Sequence, residues 1–204
     1  MNYLGLGLAR YLTPNDLARI RALRVGIAGA GGLGSNCAWM LLRSGFADLT
    51  VVDHDVVEAS NLNRQFFFAR QVGLPKVQAL RENLLDIDPE ARVTAIQAEV
   101  TAGNAVSLFE GCHAVVEAFD KASAKRMLAE AHMGRDVLLV AASGLAGCGD
   151  ADAIVTRRVG KSFYIVGDFA SEAGPENPPL APKVTLAAAK QADLLLAFAL
   201  GRLP

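Results

Sequence analysis

Gly29-Ala30-Gly31-Gly32-Leu33-Gly34 has the form G-x-G-x-x-G and lies between a short apolar run, Arg24 to Ala28, and apolar residues at helical spacing from Leu33. Glycines there let the chain turn tightly and bring backbone N–H groups toward an anion at the positive end of the helix. Asp53 stands 19 residues beyond Gly34, at the end of a second apolar run, Leu49 to Val52. A carboxylate in that place accepts hydrogen bonds from ribose hydroxyls. Together they predict nucleotide binding without naming the nucleotide, because NAD, FAD and ATP would all use the same turn and the same acid.

The segment that follows discriminates. Asp53-His54-Asp55-Val56-Val57-Glu58-Ala59-Ser60-Asn61-Leu62-Asn63-Arg64-Gln65 is a long polar excursion containing an arginine, and Lys76 comes twelve residues after Arg64. A dehydrogenase has no need of these cations, whereas a triphosphate site must neutralise several negative charges. Taken alone, Lys76 also fits a solvated first-turn lysine. His54, between two aspartates, reads as a loop-positioning hydrogen-bond partner.

These groups must be positioned by a regular framework. Residues 24–53 spell strand, turn, helix, strand, the length of one βαβ crossover. Pro75 begins a helix whose apolar period runs from Val77 to Ile87, Val93 to Ala98 reads as a strand, and Thr101 to Phe109 as a helix with Thr101 at its N-cap. A strand from His113 to Phe119 ends at Asp120; a helix from Ala122 to His132 and a strand from Val137 to Ala142 follow. Ala153 to Val159 and Ser162 to Val166 then predict an antiparallel pair. Ala173 to Pro182 is irregular, and an amphipathic helix from Val184 closes the chain. The residues from Asn61 to Phe68 fit neither helix nor loop clearly. The fold class expected is α/β: a Rossmann-like, mostly parallel sheet with helices on both faces and an antiparallel extension near the C-terminus. Residues 1–23 are expected to be an N-terminal arm and 24–204 a single domain.

Composition bounds the partners. Over 204 residues, 20 Lys and Arg balance 21 Asp and Glu for a net charge of −1, so no global field draws nucleic acid or an anionic membrane. Mean hydropathy is +0.28, an apolar surplus that a sheet buried on both faces would use. No apolar stretch is long enough for a membrane span, no secretory signal is visible, and three scattered cysteines make no disulfide framework, so a cytoplasmic protein is expected. Cys37 fits the buried face of the first helix of the βαβ unit. Cys112 has no site around it, and Cys148 sits in a glycine-rich loop without a basic neighbour to activate it.

Gly29 to Ser35, the Asp53-x-Asp55 pair, Ser60-Asn61-Leu62-Asn63-Arg64-Gln65, Gly73-x-x-Lys76-Val77 and strand-end Asp120 resemble, in order and spacing, the ThiF/MoeB/HesA superfamily of ubiquitin-activating-enzyme-like adenylyltransferases. Glu117-Ala118-Phe119-Asp120 and Ala181-Pro182-Lys183-Val184 are most similar to the short ThiF-like branch, whose partner is the sulfur carrier ThiS. The resemblance spans about residues 10 to 201 and implies ATP-dependent adenylation of the carrier's C-terminal glycine, in thiamine or related sulfur-cofactor biosynthesis. It implies a nucleotide set of Gly29, Gly31, Gly32, Gly34, Asp53, Asp55, Ser60, Asn61, Asn63, Arg64 and Lys76. Arg64 would pair the departing pyrophosphate, Lys76 would approach the α-phosphate, and Asp120 would hold Mg²⁺. It also implies a homodimer; the near-neutral charge and the lack of a long apolar stretch lead neither membrane nor nucleic acid to be expected as partner.

Four departures from that pattern stand out. The paired C-x-x-C motifs of the longer branch are missing, so no zinc is expected. Lys121 replaces the usual Asn after the metal aspartate. Arg10 is the nearest candidate for an arm arginine, with Thr13-Pro14 interrupting the expected run. Asp168 to Pro182 contains no cysteine for a thioester. A nicotinamide- or flavin-dependent oxidoreductase, a non-catalytic carrier-docking module, and activation of a small-molecule or tRNA carboxylate therefore remain alternatives.

Overall fold

The computed structural model describes residues 2–204. Seven strands, β1 (Arg24–Ala28), β2 (Asp48–Asp53), β3 (Arg92–Gln97), β4 (Ala114–Glu117), β5 (Leu138–Ala142), β6 (Val155–Gly160) and β7 (Phe163–Gly167), form one sheet in the order β3-β2-β1-β4-β5-β7-β6. All neighbours are parallel except β6, which runs antiparallel to β7 at the edge. The expected α/β class and antiparallel extension are both present. Strand order reverses around β1, which pairs β2 on one side and β4 on the other, with Ile27 opposite Val51 and Val116. Parallel sheets open a crevice beyond the carboxyl ends of their strands at such a reversal.

Adjacent residues of the central strands enter different cores. Ile27, Val51, Val116 and Val140 pack on one face, Ala28, Val52, Val115 and Leu139 on the other. That period of two, apolar on both sides, explains why these strands read as continuous apolar runs. Helices α3 (Gly32–Arg43), α4 (Lys76–Ile87) and α6 (Ala181–Leu200) contribute Leu41, Leu80 and Leu195 to the first face, and α5 (Ala122–His132) contributes Leu128 to the second. No helix among the described residues is long and apolar enough to cross a membrane.

Residues 2–23 contain two helices. Thr13 Oγ1 accepts the N–H of Asp16 at 3.1 Å and caps α2 (Pro14–Ala22), with Pro14 as its first residue. The Thr-Pro pair therefore starts a helix, and α2 sends Ile20 into the core; the six-residue α1 (Tyr3–Leu8) precedes it. The helix expected over 101–109 is instead a series of turns ending in one 3₁₀ turn, Ser107–Phe109. Asn104 Oδ1 accepts Thr101 N–H at 2.7 Å and Ala105 N–H donates to Thr101 O at 2.9 Å, so a single helical turn starts there but is not propagated, with Gly103 in it weakening the helix. The closing helix begins at Ala181, three residues before the apolar period suggested, with Pro182 in its first turn.

Candidate active site

The turn after β1 is fixed by its glycines and by Asp53. Gly29 has φ +102° and donates to Val52 O at 2.8 Å, and any side chain on Gly34 would run into the Gly29 carbonyl. Helix α3 starts at Gly32 with Gly31 as N-cap and no side chain capping it, so its first-turn N–H groups are free to meet an anion. Asp53 Oδ2 accepts Ala30 N–H at 2.6 Å and Oδ1 accepts Asp55 N–H at 2.8 Å. The acid that ends β2 thus buttresses the glycine turn from the side.

The polar excursion, whose structure the sequence left open, folds back onto the same helix start. Ser35 Oγ accepts Phe66 N–H at 3.0 Å, and Asn36 Nδ2 donates to Arg64 O at 2.8 Å and to Gly32 O at 2.6 Å. Arg64 is thereby laid along the turn, its Cγ 3.6 Å from where a Gly32 side chain would begin. Its guanidinium is steadied by Ser60 O at 3.1 Å and Asn63 Oδ1 at 2.8 Å. Asn61 is buried and closes a 3₁₀ turn by accepting Glu58 N–H at 3.0 Å, while the exposed Ser60 hydroxyl donates to Glu58 at 3.1 Å. Of the phenylalanines that follow, Phe67 is buried, Phe66 packs against Trp39, and Phe68 is exposed beneath Arg70.

Lys76 begins α4 and is buried; its Nζ donates to Asp55 Oδ2 at 2.7 Å. This hydrogen bond, with the charges of Lys76, His54 and Lys121, holds the Asp55 carboxyl below its usual range. His54 Nε2 lies 3.3 Å from Asp55 Oδ1, in keeping with a loop-positioning role. Across the crevice, Asp120 is exposed just after β4 and has no hydrogen-bond or ion-pair partner among the described residues. The turn leading to it is set by Glu117, which is 1% exposed and accepts Phe119 N–H at 2.7 Å and Lys125 Nζ at 3.1 Å. Burial raises the Glu117 pKa above the ordinary carboxylate range.

Lys183 and Asp168 escaped the sequence reading as a pair. Their side chains are 7% and 8% exposed, with Nζ 3.0 Å from Asp168 Oδ2 and 2.9 Å from Ala146 O. Burial disfavours the Asp168 charge, but hydrogen bonds from Ser171, Ala170 and Lys183 outweigh it and pull the pKa well down. A cavity of about 380 Å³ adjoins the pair, with Cys148, Ser171 and Asn177 in its wall. Cys37 is fully buried, as its helix face implied, and Cys148 is exposed. Val184, beside Lys183, lies 2.8 Å from where a Gly32 side chain would begin, so α6 starts against the glycine turn. A lysine and an aspartate flanking apolar elements were the available signal.

A doubly wound sheet, a glycine turn at its switch point and an arginine-bearing excursion folded onto that turn define a particular class of Rossmann-like protein. A family model described as "ThiF family" matches residues 6–200, and the chain belongs to that family. It is 38% identical over 96 residues to ubiquitin-like modifier-activating enzyme 5 of Caenorhabditis elegans, covering 47% of this chain and 23% of the relative. It is 32% identical over 126 residues to adenylyltransferase and sulfurtransferase UBA4 of Yarrowia lipolytica, covering 62% and 32%. The chain thus spans about a quarter to a third of the length of these curated relatives. The fold is shared with E. coli tRNA N6-threonylcarbamoyladenosine dehydratase TcdA in complex with ATP: TM-score 0.83, 24% identity, 96% of this chain and 95% of that one. It is shared less closely with E. coli MccB bound to ATP: TM-score 0.71, 19% identity, 91% and 58%.

Proposed function

We propose that the protein adenylates the C-terminal glycine carboxylate of a ThiS-like, ubiquitin-fold sulfur-carrier protein with ATP. One observation carries the reading: Ser35 and Asn36, near the start of α3, grip the backbone of the excursion and lay Arg64 along the glycine turn. An oxidoreductase has no use for a guanidinium there. The relatives lend support, being named modifier-activating enzymes and an adenylyltransferase.

In the reaction a carboxylate oxygen attacks the α-phosphorus, the bond to the bridging oxygen breaks, and its electron pair leaves with pyrophosphate. The barrier is the approach of an anion to a phosphorus ringed by negative oxygens. Asp53 holds the ribose, the α3 N-terminus and Lys76 face the α-phosphate, and Arg64 pairs the departing pyrophosphate. Asp120, an exposed carboxylate without a partner among the described residues, suits a Mg²⁺ ligand, and the ion would neutralise phosphate charge there. Mixing the protein with ATP, Mg²⁺ and a Gly-Gly-ended carrier should yield carrier–AMP by mass spectrometry. A carrier lacking its last glycine should yield none; equal product from both would overturn the assignment of the attacking group.

A further inference from the structure

His132 ends α5 and is 6% exposed. Its Nδ1 lies 3.0 Å from Leu128 O, one turn back, and a carbonyl can only accept, so Nδ1 carries the proton. Burial holds the ring's pKa below its ordinary value, so at neutral pH the imidazole is uncharged and Nε2 bears a bare lone pair. No donor meets Nε2 among the described residues. The atom is nonetheless open to the space beside it, and the ring forms part of the wall of a cavity of about 520 Å³. This cavity lies at the opposite end of the sheet from the glycine turn. Cys112 and Val137, in its wall, lead into β4 and β5, whose far ends reach the crevice. Adenylation as proposed above makes no use of it.

The rest of the wall narrows the ligand chemistry. Val106, Phe109 and Val137 make it apolar, and the Phe109 ring stands 6.3 Å from the imidazole, inclined at 52°. Two rings set at an angle offer a face and an edge to a third. Burial pushes the Cys112 thiol up to about 11, so it stays protonated and lines the cavity as a small apolar group. Among the described residues His132 belongs to no cluster of three ligand atoms that could hold a metal ion. At the mouth Glu110 and Asp136 oppose Arg135, which favours an ionic ligand of neither sign. We infer that this cavity is a binding site for a small, uncharged aromatic molecule whose ring N–H or O–H donates to His132 Nε2. Its volume falls within the roughly 300–1,000 Å³ of ordinary small-molecule sites. Binding supplies the buried acceptor with its missing partner and covers apolar wall with apolar ligand.

Indole is the probe, with N-methylindole as the control that keeps the ring and loses the donor. Titration of the full chain, followed by the imidazole nitrogen resonances of His132, should show saturable indole binding that shifts Nε2 as it accepts a hydrogen bond. N-methylindole should bind about tenfold more weakly and leave Nε2 unshifted. His132→Phe should weaken indole about tenfold and cause N-methylindole no further loss. The comparison of the two indoles uses wild-type protein, so it decides the matter even if His132→Phe fails to fold. Saturating ATP should leave the affinity for indole unchanged. Equal affinity for the two indoles overturns the hydrogen bond to His132, and absence of saturable indole binding overturns the site. Competition by ATP also overturns it, because the probe would then sit in the crevice at the glycine turn.

Discussion

Lys76 Nζ lies 2.7 Å from Asp55 Oδ2, and the backbone N–H of Lys76 donates to Asp55 O at 2.9 Å, so the first residue of α4 is locked twice to the residue just past β2. The side chains differ in exposure, 8% for Lys76 against 50% for Asp55. A buried ammonium held by one exposed carboxylate is poised: charge developing on a phosphate beside it can compete for the lysine. Lys76→Ala should lower the rate of adenylation by about 10²–10³, some 3–4 kcal/mol, while ATP affinity falls much less. Pyrophosphate-exchange rates set against ATP binding check this, and an equal loss in both would make Lys76 a uniform binder.

Under the proposed adenylation Arg64 should behave differently, because its fork would contact phosphate oxygens before and during reaction. Arg64→Ala should reduce rate and ATP affinity together. Arg64→Lys should restore them only in part, since a point charge cannot reproduce two parallel hydrogen bonds. Full recovery in the lysine variant would show that charge alone is required.

Asp120 is exposed and makes no hydrogen bond among the described residues. Asp120→Ala should therefore leave Tm unchanged and nearly abolish Mg²⁺-dependent exchange. Near-normal exchange would transfer the charge balance to Lys121.

The Lys183–Asp168 pair should show its weight in stability. Asp168→Ala strands a buried ammonium and should cost about 3–5 kcal/mol. The double change Asp168→Leu with Lys183→Met should be milder than the single. Because the folded Asp168 pKa is depressed, its contribution is present above the unfolded carboxylate pKa and is lost as pH falls through the folded value. His132 acts in the same direction at higher pH. Burial lowers its pKa, so stability should fall as pH drops below about 6.5, where the unfolded imidazole takes up a proton first. Urea midpoints between pH 7 and pH 5 should decline less in His132→Gln.

The turn, the strand-end acids and the succession of strands and helices were legible in the sequence because each depends on neighbours close in the chain: Gly29 to Gly34 on one turn, Asp53 on the strand it ends. The arrangement of the excursion was not. Val56 bridges Pro75, and Val57 exchanges backbone hydrogen bonds with Gly73 and Leu74, closing the loop that delivers Lys76 to Asp55. Such a bridge has no local periodicity to announce it. The 101–109 segment misled because its helical hydrogen bonds, Ala105 N–H to Thr101 O and Leu108 N–H to Asn104 O, stay isolated and do not join into a helix.

Exchange of labelled pyrophosphate into ATP, measured with and without a carrier protein ending in Gly-Gly, tests adenylation most directly. Adenylation of the carrier predicts Mg²⁺-dependent exchange that requires both the carrier and its terminal carboxylate. ATP binding with no exchange for any such carrier would contradict it and leave a nucleotide-binding docking module as the better description.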